Sequence, residues 1–184
     1  MFKRITTLTV IALCMNAQTM NKKTMQDTGM EIVSFDEQYK DEVIQLVSFI
    51  QQHEFHVNIT PEEQPDLQDI KGYFKDGSFW IAIDQGKVIG TIGLLNIGNG
   101  NGALKKMFVH TDYRGTGVAQ QLLKELLMWA SEHAYKAIYI GTIPIVYAAH
   151  RFYEKSGFMP ISQEELPVGF PLLRLEEKFY KYTF

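Results

Sequence analysis

Apolar residues recur along this chain with two periods, and the switches between them outline a mixed α/β domain. Glu31 to Ser34 reads as a short strand. Asp36 is placed to cap a helix in which Val43, Ile44, Val47 and Ile50 recur at helical spacing. Thr60-Pro61 to Pro65 breaks the chain, and Asp66 starts a short helix through Leu67, Ile70 and Phe74. Ser78 to Asp84 is aromatic and β-branched and predicts a strand; Gln85-Gly86 predicts a tight turn into its hairpin partner, Lys87 to Asn96. Gly98 to Gly102 has enough glycine for a phosphate loop, but Asn-Gly between two strands is first of all a hairpin turn. Ala103 to Val109 is the next strand. From Gly117, the residues Val118, Leu122, Leu126, Trp129 and Ala130 form one helical face, widened by Leu123 and Leu127. Ala137 to Gly141 predicts a strand, Val146 to Lys155 a helix, and Gly157 its stop. Phe158 to Ile161 and Leu172 to Tyr182 read as closing strands around a loop with Pro167 and Pro171. The order β-α-α-β-β-β-α-β-α-β-β starts as a meander and ends in strand-helix-strand crossings, so the sheet should be mixed.

The 184 residues suit one domain, expected over 31–184, behind a leader of residues 1–30. In the leader, Lys3 and Arg4 precede an apolar stretch from Ile5 to Met15, and Ala17 offers a small residue for cleavage. That resembles a secretory signal, although three threonines dilute the stretch. A disordered leader or a misassigned start fits too, with Met20, Met25 and Met30 as alternative starts. A net charge of −3 excludes a globally basic nucleic-acid binder. The single cysteine, Cys14, cannot form an internal disulfide. No apolar run approaches the roughly 20 residues that span a bilayer, so neither nucleic acid nor membrane is an expected partner.

The most informative stretch is Leu104 to Ala130. A buried strand ends at Val109, and Arg114-Gly115-Thr116-Gly117-Val118-Ala119 opens the long amphipathic helix. The first turn of a helix leaves N–H groups unpaired and carries partial positive charge. Gly115 and Gly117 remove side-chain bulk and Arg114 adds charge, which is the chemistry of a phosphate or pyrophosphate site. No Gly-Lys-Ser/Thr ends the loop, so it is not a Walker loop, and the third glycine of a dinucleotide fingerprint is missing. On spacing alone, a plain strand-to-helix turn with a surface arginine explains it equally well.

Arg114-x-x-Gly117-x-Ala119 resembles the Gln/Arg-x-x-Gly-x-Gly/Ala signature of the GNAT superfamily of acyl-CoA-dependent N-acyltransferases. Ala149 to Phe158 is similar to that superfamily's late helix and following strand. The resemblance implies an α/β GNAT fold, a mixed, mostly antiparallel sheet with a splayed strand pair and flanking helices. It further implies that Met107, Phe108 and Val109 offer main-chain contacts to the acyl-CoA arm, and that Arg114, Gly115, Thr116, Gly117, Val118 and Ala119 hold the pyrophosphate. Tyr153 matches the tyrosine that assists the departing CoA thiolate. With pKa values of about 10 for a phenol and about 8.5 for a thiol, full proton transfer is uphill, so Tyr153 should act mainly as a hydrogen-bond donor.

Two positions depart from the family pattern. Ala103 stands where many relatives carry the acid that serves as general base, and Val146 stands where many carry an asparagine. Glu54, Glu62 and Glu63 lie in the segment that usually shapes the acceptor pocket and compete with a solvated surface role. Lys105 and Lys106 should point opposite ways on a strand, sending at most one into the cleft. His53-Glu54-Phe55-His56 has the wrong histidine spacing for a zinc-protease helix, and no metal is expected. The resemblance implies an N-acetyltransferase using acetyl-CoA on a primary amine of a small molecule or peptide. A non-catalytic acyl-CoA-binding module and a transferase of longer acyl chains are the alternatives. Acetyl-CoA as donor implies the cytoplasm and argues against export. Oligomeric state stays open, a homodimer included.

Overall fold

The computed structural model describes residues 29–57 and 59–184; the leader, with its signal-like stretch, lies outside the described residues apart from Gly29 and Met30. The chain runs β1 (Glu31–Ser34), α1 (Lys40–Phe49), α2 (Pro65–Gln68), α3 (Ile70–Tyr73), β2 (Ser78–Asp84), β3 (Lys87–Asn96), β4 (Asn101–Val109), α4 (Val118–Glu132), β5 (Ala137–Thr142), α5 (Tyr147–Lys155), β6 (Met159–Ile161) and β7 (Lys178–Thr183). The strands form one seven-stranded sheet in the order β1-β2-β3-β4-β5-β7-β6. Every neighbouring pair is antiparallel except β4 and β5, which the α4 crossover makes parallel.

Strand alternation builds a core on each face of this sheet. Along β2, Phe79, Ile81 and Ile83 pack with Val43, Leu46, Val47 and Ile50 of the α1 segment, while Trp80 and Ala82 pack with α4 through Leu122 and Leu126. Leu122 and Leu126 are fully buried, each contributing about 1.5–3 kcal/mol of apolar transfer. The turns follow their chemistry. Gln85 and Gly86 both have positive φ, as a two-residue hairpin of the primed type requires. Gly98, Asn99 and Gly100 do likewise, and β3 and β4 pair across them from Asn96 and Gly102, so this glycine-rich stretch is a hairpin turn.

Several boundaries differ from the sequence reading. The helix through Ile50 continues as a π turn over Ile50–Glu54, with the Phe55 amide donating to the Ile50 carbonyl at 3.1 Å. The closing strand starts at Lys178 rather than Leu172, because Leu173 to Glu176 fold into a hydrogen-bonded turn instead. Phe158, expected to open a strand, lies just before β6 and is fully buried.

Candidate active site

The sheet opens at its parallel pair. β4 and β5 pair only over Asn101–Ala103 and Ala137–Tyr139, so the strands diverge from Leu104 and Ile140 onward. A cavity of about 380 Å³ fills the gap. Leu104 to Phe108 form one wall, and Ile140 to Ile143 with Val146, Ala149 and Tyr153 form another. Gln51, Phe55, Val57, Ile59, Glu63 to Asp66 and Tyr73 close it from the N-terminal side, and Leu173 to Glu176 close it from the C-terminal side.

The sequence-derived residues divide into two groups. Met107, Phe108 and Tyr153 line the cavity, whereas Val109 and Arg114 to Ala119 lie beyond it, where β4 hands over to α4. Val109 and Val118 are core residues. The Val109 carbonyl accepts a hydrogen bond from Arg114 Nε at 2.9 Å. Arg114 Nη1 also meets Glu54 Oε2 at 2.6 Å, delivered by the π turn, which leaves three of the five guanidinium N–H donors unused by these contacts. Thr116 donates its hydroxyl to the Tyr113 carbonyl at 2.7 Å. Gly115 and Gly117 have φ of +77° and +102°, a region that favours glycine, and a Cβ at either would meet open space. Gly117 caps α4 without a side chain, so an anion can approach the first-turn N–H groups of this 15-residue helix.

Tyr153 is 5% exposed and touches Phe152, Phe158 and Tyr180 through its ring. Among the described residues its hydroxyl has no hydrogen-bond partner, yet no fully buried side-chain N or O atom goes unpaired. The hydroxyl therefore keeps accessible surface on the cavity that Tyr153 lines. Burial pushes its phenol well above the ordinary range, so it stays protonated as a neutral donor.

Both Lys105 and Lys106 line the cavity, contrary to the alternation expected of a strand. Thr91 faces Phe108 and Gly93 faces Lys105, so Lys106 and Met107 together oppose Ile92, a β-bulge with Lys106 at φ +53°. Lys105 Nζ donates to the Pro171 carbonyl at 2.9 Å and to Glu176 Oε1 at 2.8 Å. Lys106 Nζ donates to Gln64 Oε1 at 2.7 Å and meets Asp66 Oδ2 at 3.2 Å. Each lysine thus fastens one flanking segment to β4. Burial depresses the Lys106 pKa, with the Asp66 carboxylate opposing that shift.

Ala103 is fully buried between Leu95 and Tyr139, so no base acts from that position. Of the three glutamates weighed from sequence, Glu54 is committed to Arg114 and Glu62 lies outside the cavity wall. Its own backbone N–H, then the Thr60 hydroxyl, hold the Glu62 carboxyl below the ordinary range. Glu63 does line the cavity, and its Oε2 accepts from the Thr60 amide at 3.0 Å. His53 stacks on Phe49, and no group of three metal-ligating side chains occurs among the described residues. Sequence reading missed His150, whose Nε2 lies 2.8 Å from Thr142 Oγ1 and 3.1 Å from the Ile143 carbonyl. The Thr142 contact can form with either tautomer of the ring, and it ties α5 to the end of β5.

A splayed parallel pair in a mixed, mostly antiparallel sheet is the fold that the sequence resemblance implies, and the comparisons with known proteins agree. Residues 44–158 match the model of the acetyltransferase (GNAT) family, and the chain belongs to that family. It is similar to a GNAT-family acetyltransferase of Staphylococcus aureus, with a TM-score of 0.82 and 36% identity over 84% of this chain and 98% of that one. N-acetylaspartate synthetase of Xenopus tropicalis is 32% identical over 125 residues, 65% of this chain and 46% of that protein. The chain spans less than half the length of the N-acetylaspartate synthetases it matches. A Thermoplasma acidophilum N-acetyltransferase crystallised with coenzyme A shares the fold, with a TM-score of 0.67 at 14% identity over 84% of this chain and 99% of that one.

Proposed function

We propose that the protein transfers the acetyl group of acetyl-CoA to a primary amine by direct attack. The observation that carries this reading is the cavity between splayed β4 and β5, with the Tyr153 hydroxyl open to it. Acetyl-CoA supplies an activated thioester; the chain supplies its placement. The free edge of β4 at Met107, Phe108 and Val109 offers main-chain groups to the pantetheine arm. Gly115 to Ala119 offer helix-start N–H groups to the pyrophosphate, and Arg114, already oriented by Val109 and Glu54, adds its remaining donors. A protein of the same fold was crystallised with coenzyme A, which supports a CoA donor for this architecture.

In the reaction the amine nitrogen forms a bond to the thioester carbonyl carbon, the C–S bond breaks, and the amine loses a proton. An alkylamine is mostly protonated at neutral pH, so the acceptor needs a base, and Glu63 is the carboxylate in the wall without a cationic partner among the described residues. Tyr153 donates a hydrogen bond to the departing sulfur. Its raised pKa makes it a stabiliser of the developing thiolate rather than a source of a fully transferred proton. Dependence on acetyl-CoA argues for action in the cytoplasm, and N-terminal sequencing of the natural product tests this by showing whether the leader is cleaved near Gln18.

Isothermal titration of the full chain with acetyl-CoA, beside the double variant Arg114→Glu, Gly117→Glu, tests the donor site. We expect binding that weakens at least a hundredfold in the variant, followed by CoA thiol release with an amine panel. A folded protein that binds neither CoA nor acetyl-CoA would overturn the reading. Binding without turnover on any amine would leave a non-catalytic module.

A further inference from the structure

We infer that the acceptor is an α-amino acid and that Arg174 holds its carboxylate. The inference rests on the acetyl transfer proposed above and concerns the other end of the same cavity. Among the described residues, six charged ones line it: Glu63, Asp66, Lys105, Lys106, Arg174 and Glu176. Lys105 pairs with Glu176 and Lys106 with Asp66, which cancels four of them inside the wall. Glu63 and Arg174 remain, and Arg174 has no hydrogen bond or ion pair among the described residues.

The backbone under Arg174 is nonetheless fixed. The Glu176 amide donates to the Leu173 carbonyl at 3.0 Å, and the Leu173 amide donates back to Glu176 Oε2 at 3.1 Å. Glu176 Oε1 meanwhile holds Lys105 of β4. Arg174 is the second residue of this doubly closed turn, so its Cα is held while its guanidinium is uncommitted. A planar guanidinium presents a fork of donors that matches a carboxylate with two parallel hydrogen bonds. A ligand bearing both an amine and a carboxylate would complete the unpaired charges: its ammonium facing Glu63 on the N-terminal wall, and its carboxylate facing Arg174 on the C-terminal wall. Arg174 is exposed and solvated, so a simple alkylamine would gain nothing from it, whereas a carboxylate would gain two charge-assisted hydrogen bonds. The relatives named N-acetylaspartate synthetase carry an amino acid in their product's name, which agrees with this class.

The test compares wild type, Arg174→Gln and Arg174→Lys in the full chain, with L-aspartate, L-alanine and ethylamine as acceptors. Wild type should prefer the amino acids over ethylamine by at least tenfold in kcat/KM. Arg174→Gln should raise KM for the amino acids ten- to a hundredfold with kcat within about threefold, leave ethylamine unchanged, and leave acetyl-CoA affinity unchanged; the lysine variant should recover part of the loss. Equal use of ethylamine by wild type, an unmoved amino-acid KM in Arg174→Gln, or a tenfold loss of acetyl-CoA affinity there would each overturn the inference, the last by assigning the arginine to the donor. Equilibrium dialysis with radiolabelled L-aspartate keeps the two readings apart. If no amine is acetylated, the transferase reading fails, while Arg174-dependent retention of the amino acid still supports the inference and its absence overturns it.

Discussion

Tyr153 is both a packing residue and part of the cavity wall. Its ring is enclosed by Phe152, Phe158 and Tyr180 while its hydroxyl opens on the cavity, and the same enclosure raises its pKa. A phenol whose folded pKa exceeds its unfolded value of about 10 contributes stability fully below pH 10 and loses it as the pH rises further. Urea unfolding of wild type and Tyr153→Phe between pH 8 and 11 should therefore show wild type losing stability relative to the variant above pH 10, and parallel curves below it. The same variant should lower kcat ten- to a hundredfold while acetyl-CoA affinity stays within about threefold. An unchanged kcat would remove Tyr153 from the leaving-group role and leave it a packing residue. The helix that carries Tyr153 to the cavity was legible in the sequence, because Ala149 to Phe158 resembles the family's late helix and the strand after it. The partnership of His150 with Thr142 was not, since the two meet only when α5 folds back on β5.

At the scale of elements, the periodic signals served well where period and burial agree. The faces of β2 and α4 fall on the two cores as the spacing requires. Alternation failed at β4, where the bulge at Lys106 brings two adjacent lysines to one cavity. No glycine marks that bulge, and its left-handed residue is a lysine held by Gln64 and Asp66, partners about 40 residues away in sequence, so nothing local announced it. The closing strand was read too long for a related reason: Leu172 and Leu173 look like strand residues, but the turn ending at Glu176 satisfies its own backbone and leaves them half exposed. The Lys106–Asp66 tie gives a signed prediction. Asp66→Asn leaves a buried cation without its carboxylate and should cost about 3 kcal/mol at pH 7, with Asp66→Asn, Lys106→Met recovering most of it. Because Asp66 opposes the burial-driven fall of the Lys106 pKa, losing it lowers that pKa further. A depressed lysine is a penalty while charged in the folded state, so the Asp66→Asn variant should regain stability relative to wild type as the pH rises from 8 to 10. Chemical denaturation across that range measures both effects, and additive costs in the double variant would deny the coupling.

At the scale of the molecule, the cavity depends on segments distant in sequence meeting at the centre of the sheet. Lys105 of β4 reaches Glu176, 71 residues away, and Glu176 lies over Gly141 of β5. A Cβ at Gly141 would run into the Glu176 carboxylate, so the missing side chain on β5 is what lets the C-terminal turn sit against the sheet. Gly141→Val should displace Glu176, free Lys105 from its carboxylate, and release the turn that carries Arg174. The expected cost is about 1–3 kcal/mol from overpacking, before any penalty for the buried lysine. Hydrogen exchange reads this out at the Leu173 and Glu176 amides, which close the turn on each other and should lose protection while α4 amides keep theirs. The amino-acid KM should rise with that loss of order while acetyl-CoA affinity holds, because the contacts proposed for the donor lie on β4 and the start of α4. Unchanged protection in a folded Gly141→Val variant would mean that the turn docks without Glu176, and that Arg174 owes its position to other contacts.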